Sequence, residues 1–415
     1  MNRVLIVEDS SFFANIVSRR LTENGDYQVD RTTSFAEARA YLKEKGEGLF
    51  AALLDLHLPD SSRGEVVDHF VAHGVPSIVF TGEFSEAVRD MIMSKSVVDY
   101  VLKENTESLD YLLAALERLQ RNRDIKVLVV DDSASTRNIV ASLLRTHQYQ
   151  VLEASSGEAA LMVLERNKDT RLVLTDYTMT GMDGFELVRA IRANHPRDRL
   201  AVIGMSAESS PMMSARFIKS GANDFLRKPF LVEEFHCRIQ QNVEILQLID
   251  TIRDLAEKDP LTGLHNRRHF FGKARSLYTE AMERGSPLTA AILDLDHFKR
   301  VNDEYGHDAG DEVLKATAHI LRRRFGKQGL VARYGGEEFC LLLPGMDGKQ
   351  TAKSLELFRK ELEQARITTA EGTVSITLSA GFSSNTEASV EAMLKRADEH
   401  LYEAKRTGRN RIAGS

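Results

Sequence analysis

The residues best suited to chemistry are acidic, and they close apolar runs. Ala291-Ile292-Leu293-Asp294-Leu295-Asp296 reads as a strand ending in two carboxylates, and alternation predicts that Asp294 and Asp296 share one face. A second acidic pair, Glu337-Glu338, follows Gly335-Gly336 in what reads as a hairpin turn. Glycines there permit positive φ and leave room for a ligand to approach the backbone. Acidic groups brought together from two strands would make a two-metal site for phosphoryl or nucleotidyl transfer. Lys405 and Arg409 are spaced i, i+4 and would share one face of the last helix if it extends that far, a pair suited to a polyphosphate. The bland alternative is a Gly-Gly hairpin with solvated glutamates.

A second kind of acidic site occurs twice. Glu8 and Asp9 follow the apolar run Val4 to Val7, Asp55 closes Ala52-Leu53-Leu54, Thr81 closes Ser77 to Phe80, and Lys103 follows Tyr100-Val101-Leu102. Roughly 120 residues later the same order returns as Asp131, Asp132, Asp176, Ser206 and Lys228. In an open parallel sheet, ligands bind at the carboxyl ends of the strands, where all of these residues fall. Three clustered carboxylates repel one another unless a hard cation joins them, and Mg²⁺ prefers such oxygens with water and phosphate. A metal there would offset the charge of an incoming phosphoryl group, and the lysine and hydroxyl could hold its oxygens. Strand-end carboxylates are often only solvated; five positions matched twice in order argue against that here.

These residues need elements to hold them. Each copy alternates short Val/Ile/Leu runs with amphipathic stretches, the pattern of a doubly wound α/β fold with helices on both faces of a parallel sheet. The copies span 1–122 and 123–240, a tandem duplication. Residues 236 to 258 read as a polar helix with an apolar seam of Ile245, Ile249, Ile252 and Ala256, flanked by Leu248 and Leu255. The spacing suits a short coiled-coil stalk, with 241–258 as linker, or an extended last helix of the second module. Asp259-Pro260 favours a break, and 259–415 reads as an α+β domain with a largely antiparallel sheet. Its expected order includes a strand at Thr289 to Leu295, a helix at Asp308 to Phe325, the hairpin, a strand near Ile376 to Phe382 and a helix at Val390 to Thr407.

Bulk composition narrows the classes. The 415 residues carry a net charge of −6, so no basic excess favours nucleic acid or an acidic membrane surface. No apolar stretch approaches the roughly 18 residues of a membrane span. Cys237 and Cys340 lie far apart and suggest neither a disulfide framework nor a zinc site. A cytoplasmic location is expected.

Residues 1 to 235 resemble the response-regulator receiver family. The resemblance implies that Asp55 and Asp176 accept phosphate from a histidine kinase. Mg²⁺ would sit on Glu8 and Asp9, or Asp131 and Asp132, with a backbone carbonyl at His57 or Thr178. Thr81 with Tyr100, or Ser206 with Phe225, would form the conformational switch beside Lys103 or Lys228. Lys228-Pro229 fits the family's frequent cis bond; Lys103-Glu104 lacks the proline and is expected trans. Gly64 comes one residue late after Asp55, and Thr180 replaces a usual proline.

Residues 256 to 412 resemble the GGDEF-domain diguanylate cyclases through five motifs in order. They begin with Asp259-Pro260-Leu261-Thr262-Gly263-Leu264 and Asp294-Leu295-Asp296-His297-Phe298-Lys299-Arg300-Val301-Asn302-Asp303. Gly306-His307-Asp308-Ala309-Gly310-Asp311, Arg333-Tyr334-Gly335-Gly336-Glu337-Glu338-Phe339 and Ala404-Lys405-Arg406-Thr407-Gly408-Arg409-Asn410 follow. The resemblance implies a palm-like domain that condenses two GTP into cyclic di-GMP and two pyrophosphates. Asp294, Leu295 and Glu337 would hold Mg²⁺ or Mn²⁺, with Glu338 near the attacking hydroxyl. Asn302 and Asp311 would read guanine, Lys299, Lys405 and Arg409 would hold phosphates, and Arg333 would stabilise transition-state charge. Each domain binds one GTP, so a homodimer is implied. The family's frequent Arg-x-x-Asp product site is replaced by Gly326 and Gly329, so product inhibition there is expected to be absent. The rival reading is a protein that only binds GTP or cyclic di-GMP, or a phosphorelay scaffold; no carboxylate is missing in support of it.

Overall fold

A computed structural model of the chain describes residues 2–23, 27–61, 64–82, 85–103, 106–207, 212–384 and 387–415. The chain divides into two compact units, Met1–Leu248 and Ile249–Ser415.

The first unit holds two doubly wound modules. In the first, β1 (Asn2–Val7), α1 (Ser11–Glu23), β2 (Tyr27–Thr32), α2 (Phe35–Lys45), β3 (Leu49–Asp55), α3 (Glu65–Ala72), β4 (Ser77–Thr81), α4 (Glu86–Met93), β5 (Asp99–Leu102) and α5 (Thr106–Asn122) follow in turn. In the second, the order is β6 (Lys126–Val130), α6 (Ala134–Thr146), β7 (Gln150–Ala154), α7 (Gly157–Arg166), β8 (Thr170–Asp176), α8 (Gly184–Asn194), β9 (Ala201–Ser206), α9 (Met212–Ser220), β10 (Asp224–Arg227) and α10 (Val232–Glu257). The sheets run β2-β1-β3-β4-β5 and β7-β6-β8-β9-β10, all parallel.

Apolar runs become central strands because each face has its own core. Val4 and Ile6 pack into one core and Leu5 and Val7 into the other. Val127 and Val129 are likewise divided from Leu128 and Val130. Side-chain caps start the helices: Ser34 accepts from the Glu37 N–H, and Asp183 forms a reciprocal box with Glu186. The Lys228–Pro229 peptide is cis. The bond expected trans at Lys103-Glu104 involves Glu104, which lies outside the described residues. The modules touch through Arg89 on α4, whose Nε donates to Glu233 in the first turn of α10 at 3.0 Å. The Asn122 amide donates to the His147 carbonyl at 2.9 Å, and the His147 and His236 rings stack 3.6 Å apart.

The second unit contains α11 (Arg267–Arg284), β11 (Leu288–Leu295), α12 (Phe298–Phe325), β12 (Leu330–Gly335), β13 (Glu338–Pro344), α13 (Gly348–Gln364), β14 (Ile367–Thr369), β15 (Gly372–Val374), β16 (Leu378–Ser384), α14 (Val390–Arg406) and β17 (Ile412–Gly414). Its main sheet runs β12-β13-β11-β16-β17 and is antiparallel except for β16–β17. Ala291, Leu293 and Leu295 face one core, Ala290 and Ile292 the other. The helix expected from Asp308 begins ten residues earlier, at Phe298, and is broken at Gly306, where φ is 83°. Lys299 to His307 are mostly polar, so no apolar period announced that first part.

Candidate functional site

In each module of the first unit the strand ends bring the repeated residues together. Lys103 Nζ lies 2.6 Å from both Glu8 and Asp55, and Lys228 Nζ lies 2.8 Å from Asp131 and 2.6 Å from Asp176. Oxygens of Glu8, Asp9 and Asp55 all fall within 4.8 Å of one another. Among the described residues that is the only such acidic group; in the second module Asp132 instead accepts from the Thr180 N–H at 3.2 Å. Burial pushes the Glu8 and Asp176 carboxyls up, against the pull of the lysines. Burial alone would lower Lys228, yet Asp131 and Asp176 hold it above its usual range. The N–H groups of His57 and Thr178 donate to Asp55 and Asp176 at 3.1 and 3.0 Å, which fixes the loops whose carbonyls were expected to serve a metal. Thr81 and Ser206 are buried at their strand ends. Tyr100 bonds to Arg89, and Phe225 packs 5.5 Å from the Phe217 ring.

In the second unit the register of β11 against β13 sets Asp294 directly opposite Glu338. Glu337 lies in the turn between β12 and β13, and its carbonyl accepts from the Leu295 N–H at 3.4 Å. Gly336 has φ of 51°, which lets the chain reverse there. Lys405 Nζ reaches Asp294 at 2.8 Å. Burial pushes the Asp294 carboxyl up, with Glu337 and Asp296 adding repulsion against Lys405. Burial and then Asp294 do the same to Glu338. Such a cluster of strained carboxylates, relieved only in part by one ammonium, has the donor chemistry that a hard divalent cation takes.

Three expectations change. Asp296 is no open ligand, because its carboxylate accepts from Thr377 at 2.8 Å, Ser379 at 2.7 Å and the Asn410 N–H at 2.9 Å. Lys405 and Arg409 do not share a helix face: α14 ends at Arg406, and Gly408, Arg409 and Asn410 have φ of 125°, 60° and 47°. Arg333 is turned inward. Its Nε and Nη2 donate to the Gly336 carbonyl at 2.9 and 2.8 Å, and its Nη1 donates to Asp259 at 3.1 and 3.2 Å. Asp259, Thr377, Ser379 and Asn410 are thus functional neighbours to which sequence reading gave no role. Only Asp259 and Asn410 carried a signal, as members of quoted motifs.

Asn302 is placed by Gly310: a Cβ there would lie 1.9 Å from Asn302 Oδ1. Asp311 follows, exposed, on the same stretch of α12. Lys299 and Arg409 are also exposed, and among the described residues neither side chain is bonded to the carboxylate cluster.

Comparison with known proteins agrees with this geometry. Residues 256–411 match the diguanylate cyclase GGDEF domain, and residues 127–240 match the response regulator receiver domain. The response regulator PleD of Caulobacter vibrioides is 31% identical over 340 residues, which cover 79% of this chain and 74% of PleD. The diguanylate cyclase DgcP of Pseudomonas aeruginosa is 44% identical over 169 residues, 39% of this chain and 24% of that protein. The crystal structure of a two-component system response regulator/GGDEF domain protein is 38% identical, covering 60% of this chain and 100% of that one with a TM-score of 0.52. The chain belongs to the response regulators that carry a GGDEF diguanylate cyclase domain. Among the described residues no helix is long and apolar enough to cross a membrane.

Proposed function

We propose that this protein condenses two GTP into cyclic di-GMP and two pyrophosphates under the control of two receivers phosphorylated by a histidine kinase. The observation that carries the reading is the pairing of Asp294 with Glu338 across β11 and β13, with Lys405 on Asp294. In this reading Asn302 and Asp311 accept from guanine, which adenine does not satisfy in the same way. Lys405, Lys299 and Arg409 hold the triphosphate, and Glu338, kept basic by burial, stands beside the attacking hydroxyl. Mg²⁺ or Mn²⁺ held by Asp294, Glu337 and the Leu295 carbonyl would supply charge neutralisation on the phosphates. Mg²⁺ in the receivers would use Glu8, Asp9 and Asp55, or Asp131, Asp132 and Asp176.

Two domains must meet, each with one GTP. Support for a homodimer comes from α10, on which Ile245, Leu248, Ile252 and Leu255 are 46, 61, 65 and 71% exposed. Their 3-4-3 spacing, isoleucine alternating with leucine, suits a two-stranded coiled coil. Phosphate on Asp55 or Asp176 then raises activity by mass action, without rebuilding the active site.

The test is turnover and oligomeric mass with GTP and Mg²⁺, with and without beryllofluoride, for the wild type and for Asp55→Asn and Asp176→Asn. Cyclic di-GMP should appear, more of it from the activated dimer. Glu337→Ala should abolish turnover with the fold intact. Absence of cyclic di-GMP from the beryllofluoride-treated wild type would sink the reading.

A further inference from the structure

The segment that carries Arg409 has an unusual backbone. Three successive residues, Gly408, Arg409 and Asn410, lie at positive φ. Glycine tolerates this and asparagine visits it, but an arginine there crowds its Cβ against the following carbonyl. Such conformations persist only when the surroundings over-determine them, and they gather at ligand clamps. The surroundings here are specific. The Arg409 N–H donates to the Ala404 carbonyl at 3.0 Å, and its own carbonyl accepts from Arg411 Nε at 3.1 Å. Asn410 makes three further bonds. Its N–H donates to Asp296 at 2.9 Å, its Oδ1 accepts from Arg359 Nη1 at 2.7 Å, and its Nδ2 donates to Glu363 at 2.8 Å. Asp296 is itself pinned by Thr377 and Ser379, and Arg359 by Glu356 at 2.8 Å and Glu363 at 2.9 Å.

We propose that Asn410 is a positioning residue that locks the left-handed Arg409 backbone onto the end of β11 and onto α13, so that the exposed Arg409 guanidinium is held ready for the substrate's phosphates. The proposal rests on the reading of this domain as a GTP-using cyclase. It accounts for two facts that reading leaves aside. Asp296, one turn of the pleat beyond Asp294, spends its carboxylate on protein partners. The loop after α14 is held in an unfavourable conformation instead of relaxing. A guanidinium on a free loop would lose rotational freedom on binding each substrate; one on a locked backbone has already lost much of it.

The test uses the full chain activated with beryllofluoride, and GTP with Mg²⁺. Asn410→Ala is expected to raise KM for GTP roughly tenfold while kcat changes less than about threefold. Asn410→Gly, which removes the side-chain clamp and tolerates the positive φ of 47° at that position, should do the same and serves if the alanine variant fails to fold. In an Arg409→Ala background, either substitution should add no further rise in KM, because the two residues act as one unit. An unchanged KM, or a rise of equal size with Arg409 already removed, overturns the proposal. Beryllofluoride-treated wild type without turnover overturns the cyclase reading itself, and that is seen before any variant is made.

Discussion

A guanidinium has five N–H donors in a fixed fork, and Arg333 directs its fork at Gly336 and Asp259. Those bonds fix the turn that carries Glu337 and tie it to the stretch following α10, where Asp259 also accepts from the Thr262 N–H at 2.9 Å. A lysine retains the charge but has no fork. Arg333→Lys is therefore expected to lower kcat by about tenfold or more, with Asp259→Asn causing a similar loss and the double variant little beyond either. Steady-state rates of the three variants decide it; a near-wild-type Arg333→Lys would mean that charge alone matters there. The type and motif of Arg333 singled it out in the sequence, but did not give the direction of its fork. That depends on the bulge between Arg333 and Gly335 in the β12–β13 register, a pairing between strands that spacing along one strand does not encode. Asp296 is the same lesson in reverse. Alternation correctly put it on the face of Asp294, whereas its occupancy by Thr377, Ser379 and Asn410 needed partners more than 80 residues away.

At the level of elements, the parallel sheets were legible because buried strands leave continuous apolar runs, and the duplication wrote each run twice. The first half of α12 was not, since residues such as Asn302 and Asp303 are polar and Gly306 interrupts the helix. Helix α10 was legible as an amphipathic stretch, but not its inner contacts. His236 on it stacks against His147, and desolvation holds His236 down at about 4 and His147 well below its usual range, with Arg118 adding repulsion to the latter. Both rings are thus neutral when packed. A histidine whose folded pKa is depressed from about 6.5 binds its proton more readily when released, so stability falls as pH drops from about 6.5 towards 4. For His236 alone the loss is about 2 kcal/mol at pH 5. Denaturant midpoints of the full chain at pH 7 and pH 5 should differ accordingly, and His236→Phe should shrink the difference. An identical pH dependence in that variant would show that the stacked pair is not its source.

For the whole molecule, the question is where control enters. Arg89 bonds both Tyr100, on the last strand of the first module, and Glu233, at the start of the helix that runs on to Glu257. That contact gives the first module a mechanical route to α10 within its own chain, and it joins elements whose encounter no local pattern announces. Control by product is expected to have no comparable foothold. The positions that the family resemblance would give to a product-binding Arg-x-x-Asp pair are Gly326 and Gly329, and both are closely packed. A Cβ at Gly329 would lie 2.2 Å from the Leu342 carbonyl oxygen, and one at Gly326 would lie 2.5 Å from the Arg322 carbonyl oxygen. The nearby charges are spoken for, since Arg323 and Arg324 both pair with Glu361. With neither a free guanidinium nor a carboxylate at those positions, added cyclic di-GMP should leave initial rates unchanged at concentrations well above micromolar. Non-competitive inhibition in the micromolar range would contradict this and would locate a product site elsewhere on the chain. If the rates do hold, accumulation of product is not limited by binding at these two positions, and under the proposed control by phosphorylation the limit would fall to the lifetime of phosphate on Asp55 and Asp176.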